Sequence, residues 1–473
     1  MKNCKKLLAL ALAFALVLAI GVIAYAEVTI NKTPGVTGPA SITVQLPTTP
    51  EGYTADNQYK IYKVFDASLA PDGQGISYTL SGDHTTVPDG FQLDDAGNVK
   101  YVRSENPVEL TQADIDAIKA YVNDGDLVAT VNTQAGDTSF TVEDLPYGYY
   151  FITTTTGTVL TVDSTHPNAE VQDKNELPPV DKRITNASSM DEDGKKALAQ
   201  VGTVVEYTAT IVKKTGAENY EFHDTMSAGL AYNGDIKVYV GGVEVAAGPS
   251  TFTIGANAGE TISVKFDNTY IAGLANETEI KFVYTATVTS DALTRDPAKN
   301  TCYLTYGHNP GDNRTPIQET EVYNAKISVK KQDDKEKPLA GAGFLLKNDQ
   351  NKYYKLVDGK VTWVGEDEQP DEHFSDAEGN VPAFTGLANG TYTLVEKTVP
   401  AGYNKGADQS FTINEHDYTV ENLEKEATVI NKEGPELPST GGIGTTIFYI
   451  VGGLLVIAAA AVLIVRRRAS VNA

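Results

Sequence analysis

The sequence predicts an all-β chain of tandem immunoglobulin-like β-sandwich domains, with a short helix in the first domain and an apolar segment at each end. Three observations carry this. Apolar and polar residues alternate in short runs such as Val204–Val212 and Ile280–Val288, with turn residues between them, and a period of two is that of a strand with one buried face. Thr, Val and Gly are abundant and there are 25 Tyr, residues that suit a pleated, half-buried surface or the turns between strands. The terminal segments instead read as continuous apolar runs flanked by positive charge.

Taken in order, Met1–Lys6 is basic, Leu7–Ala24 is apolar and Ala24-Tyr25-Ala26 offers small residues where a signal peptidase cuts. This is the pattern of a signal peptide over 1–26. Thr111 with Asp114 makes a helix start of the capping-box kind, and Ile115, Ile118 and Val122 follow at helical spacing. Polar or Pro-rich joints fall at Lys174–Pro179 and near Glu321–Asn324, and Lys432–Glu436 forms a third linker. The expected domains are therefore 27–173, 174–324 and 325–433, with 434–473 as a C-terminal anchor. In that anchor, at about 1.5 Å per residue, Ile443–Val465 reaches roughly 34 Å, beyond the ~30 Å core of a bilayer. Arg466, Arg467 and Arg468 then hold the end inside.

The formal charge is −24, from 62 acidic and 38 basic residues. Nucleic acid is excluded as a natural partner, because binding it needs a basic face. The two cysteines are Cys4 and Cys302, and Cys4 leaves with the signal peptide. An exported chain usually carries disulfide staples; this one has none to form within its mature part.

Strand parity singles out polar residues on apolar faces. Val180, Lys182 and Ile184 share a face; so do Tyr220, Phe222, Asp224 and Met226, and so do Asn300, Cys302, Leu304 and Tyr306. The third domain repeats the plan. There Lys331 goes with Ile327 and Val329, Glu396 with Tyr392 and Leu394, and Asn431 with Ala427 and Val429. A buried lone amine or carboxylate is costly, although a Lys at a strand end often reaches back to water. Brought together, a Lys, an acid and an Asn have a chemical outlet. Desolvation favours their neutral forms, the amine attacks the Asn carbonyl carbon, ammonia leaves and an isopeptide bond remains, with no cofactor.

No phosphate loop, H-E-x-x-H or G-x-S-x-G elbow occurs, and none of the six His sits in a recognisable catalytic setting. The sequence therefore predicts no enzyme, no cofactor and no metal site.

Leu437-Pro438-Ser439-Thr440-Gly441, the apolar span and the Arg cluster together resemble the LPxTG cell-wall sorting signal. The resemblance implies that a sortase cysteine attacks the Thr440 carbonyl, releases Gly441 and passes the acyl group to an amine. Val329-Lys330-Lys331-Gln332-Asp333, Pro338–Phe344 and Gly390–Glu396 running into Pro400–Tyr403 resemble a collagen-adhesin B-type, SpaA-like domain. That implies an isopeptide triad of Lys331, Glu396 and Asn431, with Lys330 the alternative lysine, though of the wrong parity. Val180–Lys182, Phe222–Leu230 and Asn300–Tyr306 resemble the second domain of backbone pilins, implying Lys182, Asp224 and Asn300. In the first domain Thr153 and Thr154 stand where an acid is expected, so no bond is predicted there.

Lys174-Asn175 before Pro178 resembles the pilin motif, with Gln172-Asp173 in place of its Tyr-Pro half. The resemblance implies that Lys174 attacks the acyl-enzyme and becomes linked to Thr440 of another copy. Lys60 and Lys63 are the alternative acceptors. The whole chain thus resembles a Gram-positive backbone pilin, secreted and anchored to the wall. Its implied partners are pilus-type and housekeeping sortases, copies of itself, ancillary pilins, peptidoglycan and host matrix or cell-surface ligands. A monomeric wall-anchored adhesin, an ancillary base or tip pilin, and a hydrolase in the first domain are the rival readings.

Overall fold

The structure, a computed structural model, describes residues 28–71, 75–103, 110–157, 159–163, 168–187, 189–292, 294, 296–307, 313–434 and 443–469. The expected signal peptide over 1–26 and the pentapeptide 437–441 lie outside the described residues.

In the N-terminal part, the long strand Asn57–Leu69 pairs antiparallel with Leu127–Thr133 on one side and Gly148–Thr154 on the other. Thr29–Lys32 and Val159–Asp163 form the edges of this sheet. A smaller sheet of Asn168–Gln172, Ala40–Gln45 and Ser139–Leu145 packs with it. The alternating burial of Ala40–Gln45 sends Ile42 and Val44 into a core with Tyr59, Ile61, Val131 and Ile152. The expected helix forms over Gln112–Tyr121, closed by the reciprocal Thr111–Asp114 capping box. Its Ile118 packs with Val64, Phe65 and Phe151 in a separate cluster.

The middle part is a sandwich of two sheets. One runs Val180–Ile184, Val204–Val212, Glu279–Val288, Lys237–Val240, Val243–Val245; the other runs Lys196–Leu198, Gln318–Tyr323, Ala298–Thr305, Glu221–Met226, Ile262–Phe266, Phe252–Gly255. Strict alternation in Val204–Val212 and Glu279–Val288 places Tyr207, Ala209, Phe282 and Tyr284 inside.

The third part sets Ala325–Asp333 between Asn380–Leu387 and, in parallel, Glu424–Asn431. Against this sheet packs a second one, ordered Lys360–Val364, Tyr353–Val357, Gly343–Asn348, Gly390–Thr398, Gln409–Ile413. Two short helices, Asn268–Gly273 and Val420–Leu423, went unpredicted. Each has a capping side chain, Asp267 and Thr419, but is too short to print a 3.6-residue period on the sequence.

The parts are joined by more than linkers. The middle and third parts share one continuous core. At their seam Val201 N–H donates to the Gly386 carbonyl at 3.0 Å, and Trp363 Nε1 donates to Gln200 Oε1 at 2.6 Å. The N-terminal part lends the short strand Thr54–Ala55 to Asn313–Arg314 of the middle part, and Tyr53 Oη donates to the Pro178 carbonyl at 3.1 Å. At the far end, the helix Ile443–Ala469 contains a stretch, Ile447–Arg467, with mean hydropathy 2.8, long and apolar enough to cross a membrane.

Candidate functional sites

Lys182, Asp224 and Asn300 are buried together, at 0%, 1% and 0% exposure. The strand Val180–Ile184 brings Lys182 from one sheet. The strands Glu221–Met226 and Ala298–Thr305 bring the other two from the facing sheet, where Asp224 pairs with Cys302 and Met226 with Asn300. Acid and amide thus sit diagonally on one inner face, and the lysine reaches them across the core. Lys182 Nζ donates to Asp224 Oδ2 and, at 2.7 Å, to Tyr284 Oη; Tyr284 Oη in turn donates to Asp224 Oδ2. Asp224 Oδ1 and both side-chain polar atoms of Asn300 are buried without a well-formed hydrogen bond among the described residues, although Asn300 lies close enough to the Tyr284 hydroxyl to lower its pKa against the effect of burial. Burial pushes the Asp224 carboxyl above the usual carboxylate range, against the pull of the Lys182 charge. It also pushes the neighbouring Cys302 thiol up to about 12, so this cysteine stays an inert core residue.

Lys331, Glu396 and Asn431 are likewise buried, at 0%, 3% and 0%. Here the lysine and the amide lie on neighbouring parallel strands of one sheet, with Lys331 opposite Val429 and Asp333 opposite Asn431. The acid comes from the facing sheet. Glu396 Oε1 accepts from Asn431 Nδ2 at 2.8 Å, and Oε2 accepts from Gly406 N–H at 2.6 Å. Lys331 Nζ donates to the carbonyls of Gln332 and Val429 at 3.0 and 3.2 Å. Asn431 Oδ1 is buried and unbonded among the described residues. Burial lowers the Lys331 pKa, with Glu396 and Asp333 opposing. Lys330 points elsewhere, to the Glu378 carbonyl and Asn380 Oδ1.

Gly406 is a participant that sequence reasoning missed. A Cβ there would stand 2.8 Å from Asn431 Oδ1 and 2.7 Å from Val429 Cγ1, so only glycine lets its N–H reach Glu396. Tyr284 was missed as well, being read as an ordinary core position of its strand.

Lys174 is exposed between two buried polar neighbours, Asp173 and Asn175, each 2% exposed. The sequence reading treated this stretch as a joint, but its backbone is pinned. Asp173 N–H donates to the Gln45 carbonyl at 2.9 Å, and Glu176 N–H to the Thr215 carbonyl at 3.0 Å. Asp173 Oδ2 accepts from Tyr59 Oη at 2.6 Å, and Oδ1 accepts from Asn175 Nδ2 at 2.7 Å. Asn175 Nδ2 also donates to Thr154 Oγ1 at 3.2 Å. Thr154 thus serves the pedestal under Lys174. Burial raises the Asp173 pKa, with the Tyr59 and Asn175 bonds pulling the other way. Of the alternative acceptors, Lys63 is paired with Asp66 at 2.7 Å and Lys60 lies mid-strand, paired with Thr153 and Thr130.

Residues 325–426 match the family model described as a SpaA prealbumin-like fold domain, and residues 430–472 match that of the LPXTG cell wall anchor motif. The chain is a cell-wall-anchored surface protein with a SpaA domain. The backbone pilin T6 of serotype M6 Streptococcus pyogenes, described as a modular three-domain structure, shares the fold of this anchored protein. The two are 18% identical, with a TM-score of 0.54 over 79% of this chain and 80% of that one. The full-length RrgB pilus protein of Streptococcus pneumoniae aligns at 15% identity and TM-score 0.49, over 86% and 100% of the two chains. The group B streptococcus pilus 2b backbone protein aligns at 25% identity and TM-score 0.44, over 55% and 99%. No curated protein matches the sequence.

Proposed function

We propose that the anchored protein is the backbone subunit of a sortase-assembled pilus. In this reading a sortase thiol attacks the carbonyl carbon of Thr440, the peptide bond to Gly441 breaks, and a thioester forms. The neutral Lys174 amine then displaces the thiol, leaving Lys174 Nζ bonded to Thr440 of the neighbouring subunit. The observation that carries this is the pedestal: an exposed amine held between two buried, hydrogen-bonded side chains, in a chain that also bears a wall-sorting motif. A free surface lysine is mostly protonated near neutral pH, so the sortase supplies the base.

Within each subunit Lys182 joins Asn300 and Lys331 joins Asn431, each with loss of one ammonia, assisted by Asp224 and Glu396. These bonds replace the disulfides that the mature chain cannot make. The resulting shaft serves adhesion by carrying ancillary pilins away from the wall.

The test is an immunoblot of wall extracts boiled in SDS with reductant, comparing wild type with Lys174→Ala. The expected result is a ladder that collapses to monomer in the variant. A ladder that persists moves the linkage to another lysine. Wall-bound monomer in both strains removes the backbone reading and leaves an adhesin or ancillary subunit.

A further inference from the structure

We infer that Tyr284 is a catalytic residue of the middle-domain crosslink, aiming the Lys182 amine and relaying its proton to Asp224. This rests on the Lys182–Asn300 bond proposed above. Tyr284 is 1% exposed, and its hydroxyl is the one side-chain group besides Asp224 to which Lys182 Nζ is shown bonded. A neutral amine has two protons and one lone pair. Here the two directions taken by Asp224 Oδ2 and Tyr284 Oη use both protons, leaving the lone pair for the third direction. Asn300, buried beside Asp224 on the facing sheet and within reach of the Tyr284 hydroxyl, is the electrophile.

The step balances without a co-reactant. Lys182 first gives a proton to Asp224, whose carboxyl is pushed by burial towards its neutral form. The step requires this proton to be carried on Oδ1, the oxygen without a hydrogen bond among the described residues, so that Oδ2 still accepts from lysine and tyrosine. Nζ bonds to Asn300 Cγ. One Nζ proton passes to Tyr284 Oη while the tyrosine proton passes to Asp224 Oδ2. The Oδ1 proton goes to Asn300 Nδ2, the Cγ–Nδ2 bond breaks and ammonia departs. Tyr284 ends as it began, and Asp224 ends as the neutral acid, with a proton on Oδ2 in place of the one that Lys182 gave up at the outset. Burial holds the Tyr284 phenol pKa far above its ordinary value, so the relay passes a proton through the hydroxyl without leaving a phenolate.

The third domain supplies the contrast. Lys331 Nζ is oriented by two backbone carbonyls, and among the described residues no phenol is shown bonded to it. A change at Tyr284 therefore affects one crosslink and spares the other within the same molecule.

The experiment follows the full chain after pulse-labelled synthesis, digests it at successive times, and quantifies the Lys182–Asn300 and Lys331–Asn431 cross-linked peptides by mass spectrometry. Tyr284→Phe is expected to slow the first at least about a hundredfold, the lower end for losing a positioned proton-transfer group, and to leave the second unchanged. Tyr207→Phe is the control, because Tyr207 Oη is buried beside Tyr284 without a hydrogen bond among the described residues; it should cross-link at the wild-type rate. Equal slowing in both variants would assign the effect to packing and overturn the inference, as would a wild-type rate in Tyr284→Phe. Absence of the Lys182–Asn300 peptide from the wild-type chain would instead remove the underlying bond. If Tyr284→Phe fails to fold, biosynthetic replacement of tyrosine by a fluorotyrosine keeps the hydroxyl but acidifies it. The pH–rate profile of the middle crosslink should then shift while that of the third domain stays put, and an unshifted profile overturns the relay.

Discussion

The middle and third domains bury the same three kinds of residue and wire them differently. In the middle domain the carboxylate engages the nucleophile: Asp224 holds Lys182, with Tyr284 between them. In the third domain it engages the leaving amide, Glu396 holding Asn431 Nδ2. The difference follows from topology. When lysine and asparagine face each other across a sandwich, the long lysine side chain must cross the core and meets the acid on the far sheet. When they lie on adjacent parallel strands, the lysine is caught by backbone carbonyls of its own sheet, and the acid opposite is free to orient the amide. If both sites cross-link as proposed, one chemistry is reached through two geometries, and each geometry has its own weak point.

The largest effect should come from removing the lysines. Lys182→Ala forfeits the proposed crosslink, which would close a loop of roughly a hundred residues, about 4–5 kcal/mol. It also takes from the buried Asp224 Oδ2 its hydrogen bond from Lys182 Nζ, a further cost of about 1–3 kcal/mol. Lys331→Ala forfeits a similar crosslink but leaves Glu396 with its bonds to Asn431 and Gly406. Hydrogen exchange on the full chain, resolved by domain, should show the greater loss of protection in the middle domain. Equal losses would erase the distinction between the two wirings.

A smaller effect is expected at Gly406. The Gly406→Ala methyl would collide with Asn431 Oδ1, so the third-domain crosslink should form several-fold more slowly while the middle one is untouched. Time-resolved mass spectrometry of the cross-linked peptides reads both. An unaffected third domain would mean that Glu396 orients Asn431 without help from the Gly406 N–H.

The smallest effect is a pH dependence of opposite sign in the two domains once the crosslinks are blocked. In Asn431→Ala, Lys331 stays an amine with a folded pKa below its ordinary 10.5. Between the two values the unfolded chain holds more protons, so the third domain gains stability as pH rises toward 10.5 and loses it as pH falls through the folded value. In Asn300→Ala, Asp224 has a folded pKa above 3.8. The folded chain then holds more protons, and the middle domain loses stability as pH rises from 3.8 through the folded value. Denaturant midpoints of each domain across pH check both slopes; matching signs would show that the acids and lysines do not titrate separately.

How much of this was legible in the sequence depends on the range of the signal. The burial of Lys182, Lys331, Asn300 and Asn431 can be read from neighbours two residues away, because strand parity is local. Tyr284 cannot. Phe282, Tyr284 and Ala286 make a regular inward-facing row, and nothing in that row says that one hydroxyl meets a lysine a hundred residues earlier. The Tyr59–Asp173 bond is hidden for the same reason, its partners being 114 residues apart. Gly406 looked like one more loop glycine. The parallel pairing of Ala325–Asp333 with Glu424–Asn431 and the loan of Thr54–Ala55 to the middle sheet were equally invisible, since parity fixes a strand's face but not its neighbour.

Lys174 lies after the last strand of the N-terminal part and just before Val180–Ile184, the strand that carries Lys182. In the proposed polymer a subunit is pulled at Lys174 by one neighbour and at Thr440 by the other. Tension would then run from Lys174 to Lys182, step across to Asn300, continue to Lys331, step across to Asn431 and leave at Thr440. The long loops between the bonded pairs would be bypassed and could not pay out as slack. Residues 28–173 would hang beside this line rather than in it, which gives a mechanical reason for the domain in which no lysine–acid–asparagine set is predicted to do without one.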